Sequence, residues 1–543
     1  MSEKQISVVP LGGLREVGKN CLLVIYGSDA LMIDCGMGFP GNDDFMDDDF
    51  FIPDFDAIKT LGVKLAGVVV THGHEDHIGA IPYLLRDHDV PVYLTELPAG
   101  LLKERMGKVA RYNNLVPLSA KRKTAFDVGP FSVKMLPVPH SVPEAKALLI
   151  TAGPFTLLHT GDFKCDGSGH SPFYKKVPED VDMMFIDSTN IERDGFSEQE
   201  SELVPNIRKL VAAAKGRVIV TAFSSNVERI KNIIEVARET GRTVGLMGRS
   251  VHNYTRLAQQ LGYIKLPGNV ISDESKFSTI PDHKLLMIVT GSQAEPRSIM
   301  KRLSLDMLKA VPLKYGDTIL FSSKIIPGNE TAIGRMMDTL VEKGVNLFYE
   351  TTVDIHASGH GRQGELLLAA REVNPRLIIP VHGHLRFIDY HCRLLEGEGF
   401  SSRLISDGDV LVYTKRDSEL RQRIDLQKRI VSNYDPDLVD IETIRERKRI
   451  GRGGVMTILL AVNLVEGRLI TPPRFITAGI ASASAMKKIQ HELRDMIYEY
   501  FADRKSVDRD DDEIEEDIRL LSRRYLMELT DKKPVVTVLV VKG

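Results

Sequence analysis

The chain has 543 residues, 43% of them hydrophobic, with 71 Lys and Arg against 74 Asp and Glu for a net charge of −3, four Cys and no Trp. At roughly 150 residues per domain this length predicts about three or four domains, and the apolar share excludes disordered, collagen-like and disulfide-scaffold classes. The near-neutral balance argues against a protein that coats nucleic acid, because polyanion binders usually carry a basic excess. Met1 to Asn20 lacks the apolar core of a secretory signal, and no stretch reaches the roughly 18 apolar residues of a membrane span. Cys21, Cys35, Cys165 and Cys392 form no C-x-x-C pair. A cytoplasmic protein with reduced, buried thiols and no membrane partner is therefore expected.

In chain order, Ser7–Pro10, Cys21–Tyr26 and Leu31–Asp34 read as strands, Asp54–Leu61 as a short helix, Leu65–Val70 as a buried strand and Ile78–Arg86 as a helix. Phe131–Pro137, Lys146–Ile150, Thr156–His159 and Met183–Ile186 continue the strands, each bounded by Gly, Pro or Asp. From about Glu198 the units lengthen. A helix to Ala214 is followed by strand Val218–Ala222, helix Asn226–Glu239, strand Thr243–Met247 and helix Asn253–Gln260, then by strand Leu285–Val289, helix Arg297–Leu308, strand Thr318–Phe321 and helix Asn329–Lys343. Such a βα run predicts a parallel sheet covered by helices. Arg376–Val381 and Asp409–Tyr413 return to the first type, so the βα block reads as an insertion.

The charged stretch 416–450 reads as a linker with some helix. Beyond it, Val455–Leu464 and Leu469–Ile476 flank a Glu466-Gly467-Arg468 turn, Ala483–Phe501 is helical, and Val535–Val541 is a last strand. Ile514, Ile518, Leu521, Tyr525 and Leu529 recur at helical steps, which makes the acidic run Asp510–Asp517 a dipole-matched helix start. The expected division is 1–200 and 366–415 for the first domain, 201–365 for the insert, 416–450 for the linker and 451–543 for a small α+β tail.

The chemistry concentrates in Thr71-His72-Gly73-His74-Glu75-Asp76-His77, straight after a buried strand. In extended chain, residues two apart project to one side, so His72 and His74 can grip one ion while Asp76 and His77, past the bend, grip a second. Imidazole and carboxylate suit zinc and other borderline ions. Glu75 has no obvious place in the coordination and is expected at the solvent side or behind the ligands.

T-H-x-H-x-D-H resembles the signature of the metallo-β-lactamase fold, an αββα sandwich holding one or two metals at its strand ends. The resemblance implies further ligands at later strand ends, where Pro139-His140-Ser141 and His159-Thr160-Gly161-Asp162 stand. His140 would complete the first site and Asp162 would bridge both, with Asp34 orienting ligands from behind. Asp187, His360 in His356-Ala357-Ser358-Gly359-His360, and His382 in Pro380-Val381-His382-Gly383-His384 resemble three further motifs of the β-CASP nucleases. Leu11-Gly12-Gly13, Glu16-Val17-Gly18 with Asn20, Asp187-Ser188-Thr189-Asn190, Thr290-Gly291-Ser292-Gln293 and Ile326-Pro327-Gly328-Asn329-Glu330 resemble the ribonuclease J family over roughly residues 1–440.

That resemblance implies an αββα sandwich with an inserted parallel α/β β-CASP domain and a C-terminal α+β domain supporting a homodimer or homotetramer. It implies a 5′-to-3′ exonuclease on 5′-monophosphorylated single-stranded RNA, able to cut internally, with two divalent ions, Zn²⁺ first and Mn²⁺ second. His72, His74 and His140 would bind one ion and Asp76, His77 and His382 the other, with Asp162 shared. Two ions about 3.5–4 Å apart offset the repulsion between a phosphodiester and an anionic nucleophile. Asp76 counts with His360 and Asp187 as catalytic, His360 serving the departing 3′-oxygen and Asp187 orienting it. His356, Ser358 and Gly359 would grip the scissile phosphate. Ser225, Gly291, Ser292, Ser322 and Ser323 are small loop residues suited to a terminal phosphate. The alternative is a β-CASP DNA 5′-nuclease, since no local motif reads the 2′-OH.

Overall fold

A computed structural model describes every residue except 1–3, 39–48, 107–111, 121–124, 296, 327–328, 433–440, 464, 504–508 and 543. Pro327 and Gly328 of the Ile326–Glu330 motif, residues 433–440 of the expected linker and the strand end Leu464 thus lie outside the described residues. The chain divides into two compact units, Met1–Tyr434 and Asp435–Gly543.

Two sheets build the first part of the larger unit. Eight strands run in the order Ser418–Arg423, Asp409–Tyr413, Ile6–Gly12, Cys21–Tyr26, Asp29–Ile33, Lys64–Val69, Val92–Thr95 and Leu115–Leu118. Six run Leu377–Val381, Met183–Asp187, Phe155–His159, Lys146–Ala152, Phe131–Pro137 and Ala125–Val128. Alternation along the strands shows how they pack. Val8, Val24, Leu31 and Val69 meet Val133, Leu148 and Phe185 between the sheets. Val9, Leu23, Met32 and Val68 turn outward onto Ile81, Leu84 and Leu102 of the covering helices. Across the second sheet Met184, Ile186 and Ile378 pack on Leu366, Ala369 and Leu395. Both faces of both sheets are covered, which is why the strands are near-continuous apolar runs. Each side chain so buried contributes about 1.5–3 kcal/mol. The architecture is the expected αββα sandwich.

The insert is a six-stranded, wholly parallel sheet in the order Val270–Ile271, Thr243–Met247, Leu285–Val289, Val218–Thr221, Thr318–Phe321 and Asn346–Phe348. A buried ion pair ties it to the loop that follows. Asn226 caps the helix Val227–Glu239, and Arg229, 1% exposed, meets Glu200 through two hydrogen bonds of 2.6 and 2.9 Å. The same guanidinium donates to the carbonyls of Ser322, Ile355 and Ala357. It therefore holds the approach to Ser358-Gly359-His360, and loss of either ion would strand the other at a cost of about 3–5 kcal/mol.

In the smaller unit, Val455–Asn463 is central, paired with Arg474–Ala478 on one side and Val535–Lys542 on the other. The helices Ala483–Ala502 and Asp511–Thr530 cover one face through Ile489, Leu493, Ile514 and Ile518. Asp510 caps the second helix in a reciprocal box with Glu513, so the acidic run is a helix start.

Several local expectations are revised. The helix expected over Ile78–Arg86 is two, Glu75–Ile78 and Ile81–Asp87, because Pro82 lacks an N–H and suits a first turn. Arg297–Leu308 is helical only over Ile299–Ser304, starting at the Ser298 cap. The stretch taken as a linker from 416 contains Ser418–Arg423, paired with Asp409–Tyr413, and Arg429–Ser432, paired with Asp49–Ile52. An edge strand exposes most of its side chains and carries charge to resist further pairing, so it shows no apolar period. Strands Val92–Thr95, Leu115–Leu118 and Ala125–Val128 and the helix Glu96–Met106 were also not evident from the pattern.

Candidate metal centre

The strand Lys64–Val69 delivers Thr71 to His77 to the end of the sandwich, where the helix Glu75–Ile78 begins directly after His74. A Cβ on Gly36 would stand 1.6 Å from the Asp76 carbonyl oxygen, so the two turns approach as closely as they do because position 36 has none. Asp34 and His382 both adopt positive φ, 58° and 57°, a conformation rarely held by non-glycine residues outside functional turns.

Two groups of side chains converge. His72 Nε2 lies 3.0 Å from His74 Nδ1, which lies 3.3 Å from His140 Nε2. Asp162 Oδ2 is 3.5 Å from His72 Nε2 and 3.8 Å from His140 Nε2. In the second group Asp76 Oδ2 is 3.2 Å from His382 Nε2 and 3.7 Å from His77 Nε2. Asp162 reaches this group too, 3.3 Å from His77 and 3.2 Å from His382. His72 and His77 are each 1% exposed, Asp162 and His382 each 3%.

The donor chemistry fits divalent ions. On four of the five histidines the ring nitrogen pointing away from the cluster meets an oxygen, His77 Nδ1 at Asp34, His72 Nδ1 at Thr71 Oγ1, His74 Nε2 at Ser225 Oγ and His140 Nδ1 at the Gly359 carbonyl, at 2.7–3.0 Å, while His382 Nδ1 lies between Thr189 Oγ1 at 3.1 Å and Asp162 Oδ1 at 3.2 Å. Outer hydrogen bonds of this kind fix the tautomer and leave the inner nitrogen's lone pair for a metal. Nitrogens 3.0–3.3 Å apart with lone pairs facing each other repel unless a cation stands among them. Thr71 and Thr189 are themselves held by Asp34 and Asp187, both at 2.7 Å. A Cβ on Gly359 would meet the His140 ring at 2.8 Å.

Charge divides the cluster. Burial and neighbouring imidazoles pull His72 and His140 well down and His74 to about 4. Burial acts the same way on His77 and His382, but Asp162 with Asp76 and, respectively, Asp34 or Asp187 outweighs it, holding His77 up at about 10 and His382 well above its usual value. Against burial, the histidines hold Asp76, Asp162 and Asp187 below the usual carboxylate range. Carboxylates thus draw positive charge onto this half of the site, the demand that a metal ion meets when it displaces those protons.

His360 sits beside the cluster, its Nδ1 donating to Asp187 at 2.7 Å and its Nε2 3.8 Å from Asp162. Ser358 Oγ accepts from Asn190 at 2.7 Å and from the His360 N–H at 3.1 Å, which leaves its own proton to donate. His356 turns inward. Its Nδ1 is buried without a partner among the described residues, and burial with the Arg229 and Lys324 cations pulls its pKa well down, so it presents no positive charge to a phosphate. Ser225 stands at the cluster itself. Ser322 is committed, donating to Ile355 O at 2.6 Å and accepting from Arg229 at 2.7 Å. Gly291, Ser292 and Ser323 occupy the neighbouring loops, with both serines buried. Glu75 is exposed and paired with Arg105. Thr71, Thr189, Asn190 and Asn20, the last 3.0 Å from His77 Nε2, carry contacts to which the motifs assign no role. All four stand within or beside the recognised motifs, which was the available signal.

A buried His/Asp cluster at the strand ends of an αββα sandwich, roofed by an inserted parallel α/β domain, defines a metallo-β-lactamase-type metal-dependent hydrolase of the β-CASP kind. Residues 14–181 match the metallo-beta-lactamase superfamily and 350–404 the Zn-dependent metallo-hydrolase RNA specificity domain. Residues 215–340 match the ribonuclease J beta-CASP domain and 442–543 the ribonuclease J C-terminal domain. The chain is 32% identical to ribonuclease J of Mycobacterium tuberculosis, over 91% of this chain and 90% of that protein. It is 31% identical to that of Synechocystis, over 92% and 80%, and 30% identical to that of Helicobacter pylori, over 91% and 73%. The chain belongs to the ribonuclease J family and is a metal-dependent ribonuclease. A crystal structure of an Enterococcus faecalis protein of unknown function shares the fold, with TM-score 0.54 at 19% identity, covering 75% of this chain and all of that one. No described helix is long and apolar enough to cross a membrane.

Proposed function

We propose that the protein is a two-metal 5′-to-3′ exoribonuclease acting on 5′-monophosphorylated single-stranded RNA, with internal cleavage as a secondary activity. The observation that carries this reading is the enclosure of the cluster: His72, His77, Asp162 and His382 are buried, His74, Asp76 and His140 are half-buried, and the insert reaches the cluster through Ser225 on His74. A strand must be threaded to such a site, which favours a single strand entering by its end. His72, His74 and His140 would hold one ion and Asp76, His77 and His382 the other, with Asp162 shared, and zinc or manganese suits this set. Bound there, the ions supply charge that offsets the phosphate's own and make water a nucleophile at neutral pH.

The chain's own groups do the rest. Ser358 Oγ–H and the adjacent backbone N–H groups hold the scissile phosphate in line for attack. Asp187 keeps the Nδ1–H of His360 and stabilises the protonated ring, whose Nε2–H goes to the departing 3′-oxygen. The downstream fragment is left with a 5′-phosphate and re-enters as substrate. RNA and DNA of identical sequence, each 5′-monophosphorylated, with and without chelator, test the reading by product length. Mononucleotides from RNA alone, abolished by chelator, are expected. Equal degradation of DNA supports the DNA nuclease instead, and equal rates on monophosphate and triphosphate ends remove the end preference.

We also place homodimer or homotetramer assembly in the smaller unit. Leu459 pairs with Leu539 and Thr457 with Ile476 on the sheet face opposite the helices, where Ile476 is 63%, Leu539 46% and Val541 58% exposed. Apolar side chains grouped on one uncovered face favour association. Leu539→Glu is expected to shift the full chain to monomer in sedimentation equilibrium, and an unchanged mass would refute this placement.

A further inference from the structure

Lys324 follows the strand Thr318–Phe321 in the loop Ser322-Ser323-Lys324, and neither composition nor motif singles it out. Its Nζ donates to Asn190 Oδ1 at 2.9 Å. The same Asn190 amide donates to Ser358 Oγ at 2.7 Å and to the His360 carbonyl at 3.0 Å. One side chain therefore joins this ammonium to the residues that hold the scissile phosphate and the leaving oxygen. The lysine's backbone is anchored as well. Gln293 Nε2 donates to the Lys324 carbonyl at 2.8 Å and Gln293 Oε1 accepts from the Ile326 N–H at 2.8 Å, so the loops after Leu285–Val289 and Thr318–Phe321, the two strands that flank Val218–Thr221, are pinned together around it.

Its partner differs in charge from those of its neighbours. Arg193 pairs with Glu350 at 3.2 Å and Arg362 with Glu198 at 2.6 Å, but Lys324 rests on a neutral amide oxygen. Burial, with Arg193 and Arg362 nearby, lowers its pKa to about 8 despite Glu350 and Glu192. An ammonium so placed gains most from a ligand of high negative charge. A terminal phosphate monoester carries about −1.5 to −2 at neutral pH, whereas each internal phosphodiester carries a single charge.

We propose that Lys324 is the specificity-determining cation for the 5′-terminal phosphate monoester of the RNA. The assignment rests on the reading that the enzyme recognises a 5′ end. It moves the centre of that recognition from the small residues Gly291 and Ser292 to a charged group one side chain from Ser358 and His360. Ser322 is used internally, His356 is kept neutral, and Arg193 and Arg362 are paired with carboxylates, which leaves Lys324 as the cation at this edge of the site with no carboxylate partner among the described residues.

The experiment compares the metal-loaded full-length enzyme with Lys324→Met and Lys324→Arg on one RNA sequence bearing either a 5′-monophosphate or a 5′-hydroxyl. The readout is the ratio of kcat/KM on the two ends, with metal content and thermal midpoint recorded for each variant. The ratio is expected to fall about 10- to 100-fold in Lys324→Met, the value of a hydrogen bond to a charged group, and to be largely restored in Lys324→Arg. Parallel losses on both ends, with the ratio preserved, make Lys324 a strut for Asn190 and overturn the proposal. A wild-type ratio near one overturns the reading of end recognition itself, and the assignment with it. A wild-type preference that survives in Lys324→Met overturns the assignment alone.

Discussion

Replacing Asp162 with Asn is expected to lower RNA cleavage by on the order of 10³ or more, since charge stabilisation by metal ions supplies several kcal/mol and each 1.4 kcal/mol is tenfold in rate. Metal content should fall in step. Asp162 is 3% exposed and lies 3.2–3.8 Å from ring nitrogens of His72, His77, His140 and His382, in reach of both ligand groups. Asn keeps the shape but removes the charge, and its N–H groups would either meet ring N–H groups or occupy the ring lone pairs that a metal would take. Single-turnover cleavage and metal analysis of the same preparation decide the matter. A variant that keeps both ions and full activity would show that Asp162 shares neither. One that keeps both ions and loses the rate would place its contribution in substrate alignment.

His360→Ala is expected to reduce cleavage by about 10²- to 10⁴-fold, the range for a positioned general acid, while both metal ions stay bound. The geometry permits two roles for this ring. Its Nδ1 is committed to Asp187 at 2.7 Å, as a proton donor's orienting bond would be. Yet His360 also groups with Asp162, Asp187 and His382 within ligand distance of one another. Metal analysis separates them: loss of an ion with the ring makes His360 a ligand, and retention makes it the acid. Asp187→Asn should show a smaller loss of the same kind, because the ring would remain but its protonated form would lose its stabilising charge. An Asp187 variant that loses metal and no more activity than His360→Ala would point to ligation through both.

How much of this was legible in the chain depends on the distance over which each interaction acts. The Thr71–His77 motif packs four candidate ligands into one turn, so spacing alone divides His72 and His74 from Asp76 and His77, and in the structure the two pairs fall in separate clusters of side chains. Most interior strands of the sandwich, buried on both faces, are visible as apolar runs, although the four-residue Val92–Thr95 is not. Edge segments are not: Ser418–Arg423 is exposed on most of its side chains, so its pattern is that of a linker although it pairs with Asp409–Tyr413. His140, Asp162 and His382 were reached through resemblance, because residues 66 and 306 positions apart in the pairs His74–His140 and Asp76–His382 share no local signal.

By itself, then, the sequence determined the metal chemistry and the family, since both are written in residue types at short spacing. The net charge of −3 excluded only a protein that coats nucleic acid, and it is compatible with one that admits a single strand to a buried site. Tertiary structure alone decided that Ser322 serves Arg229 and that Ser225 stands on His74. It also decided that Lys324 shares Asn190 with Ser358 and His360, the lysine and the asparagine standing 134 positions apart in the chain. The physical reason is that a hydrogen bond acts over about 3 Å in space, whereas sequence patterns report only neighbours within a turn of helix or a pair of strand residues.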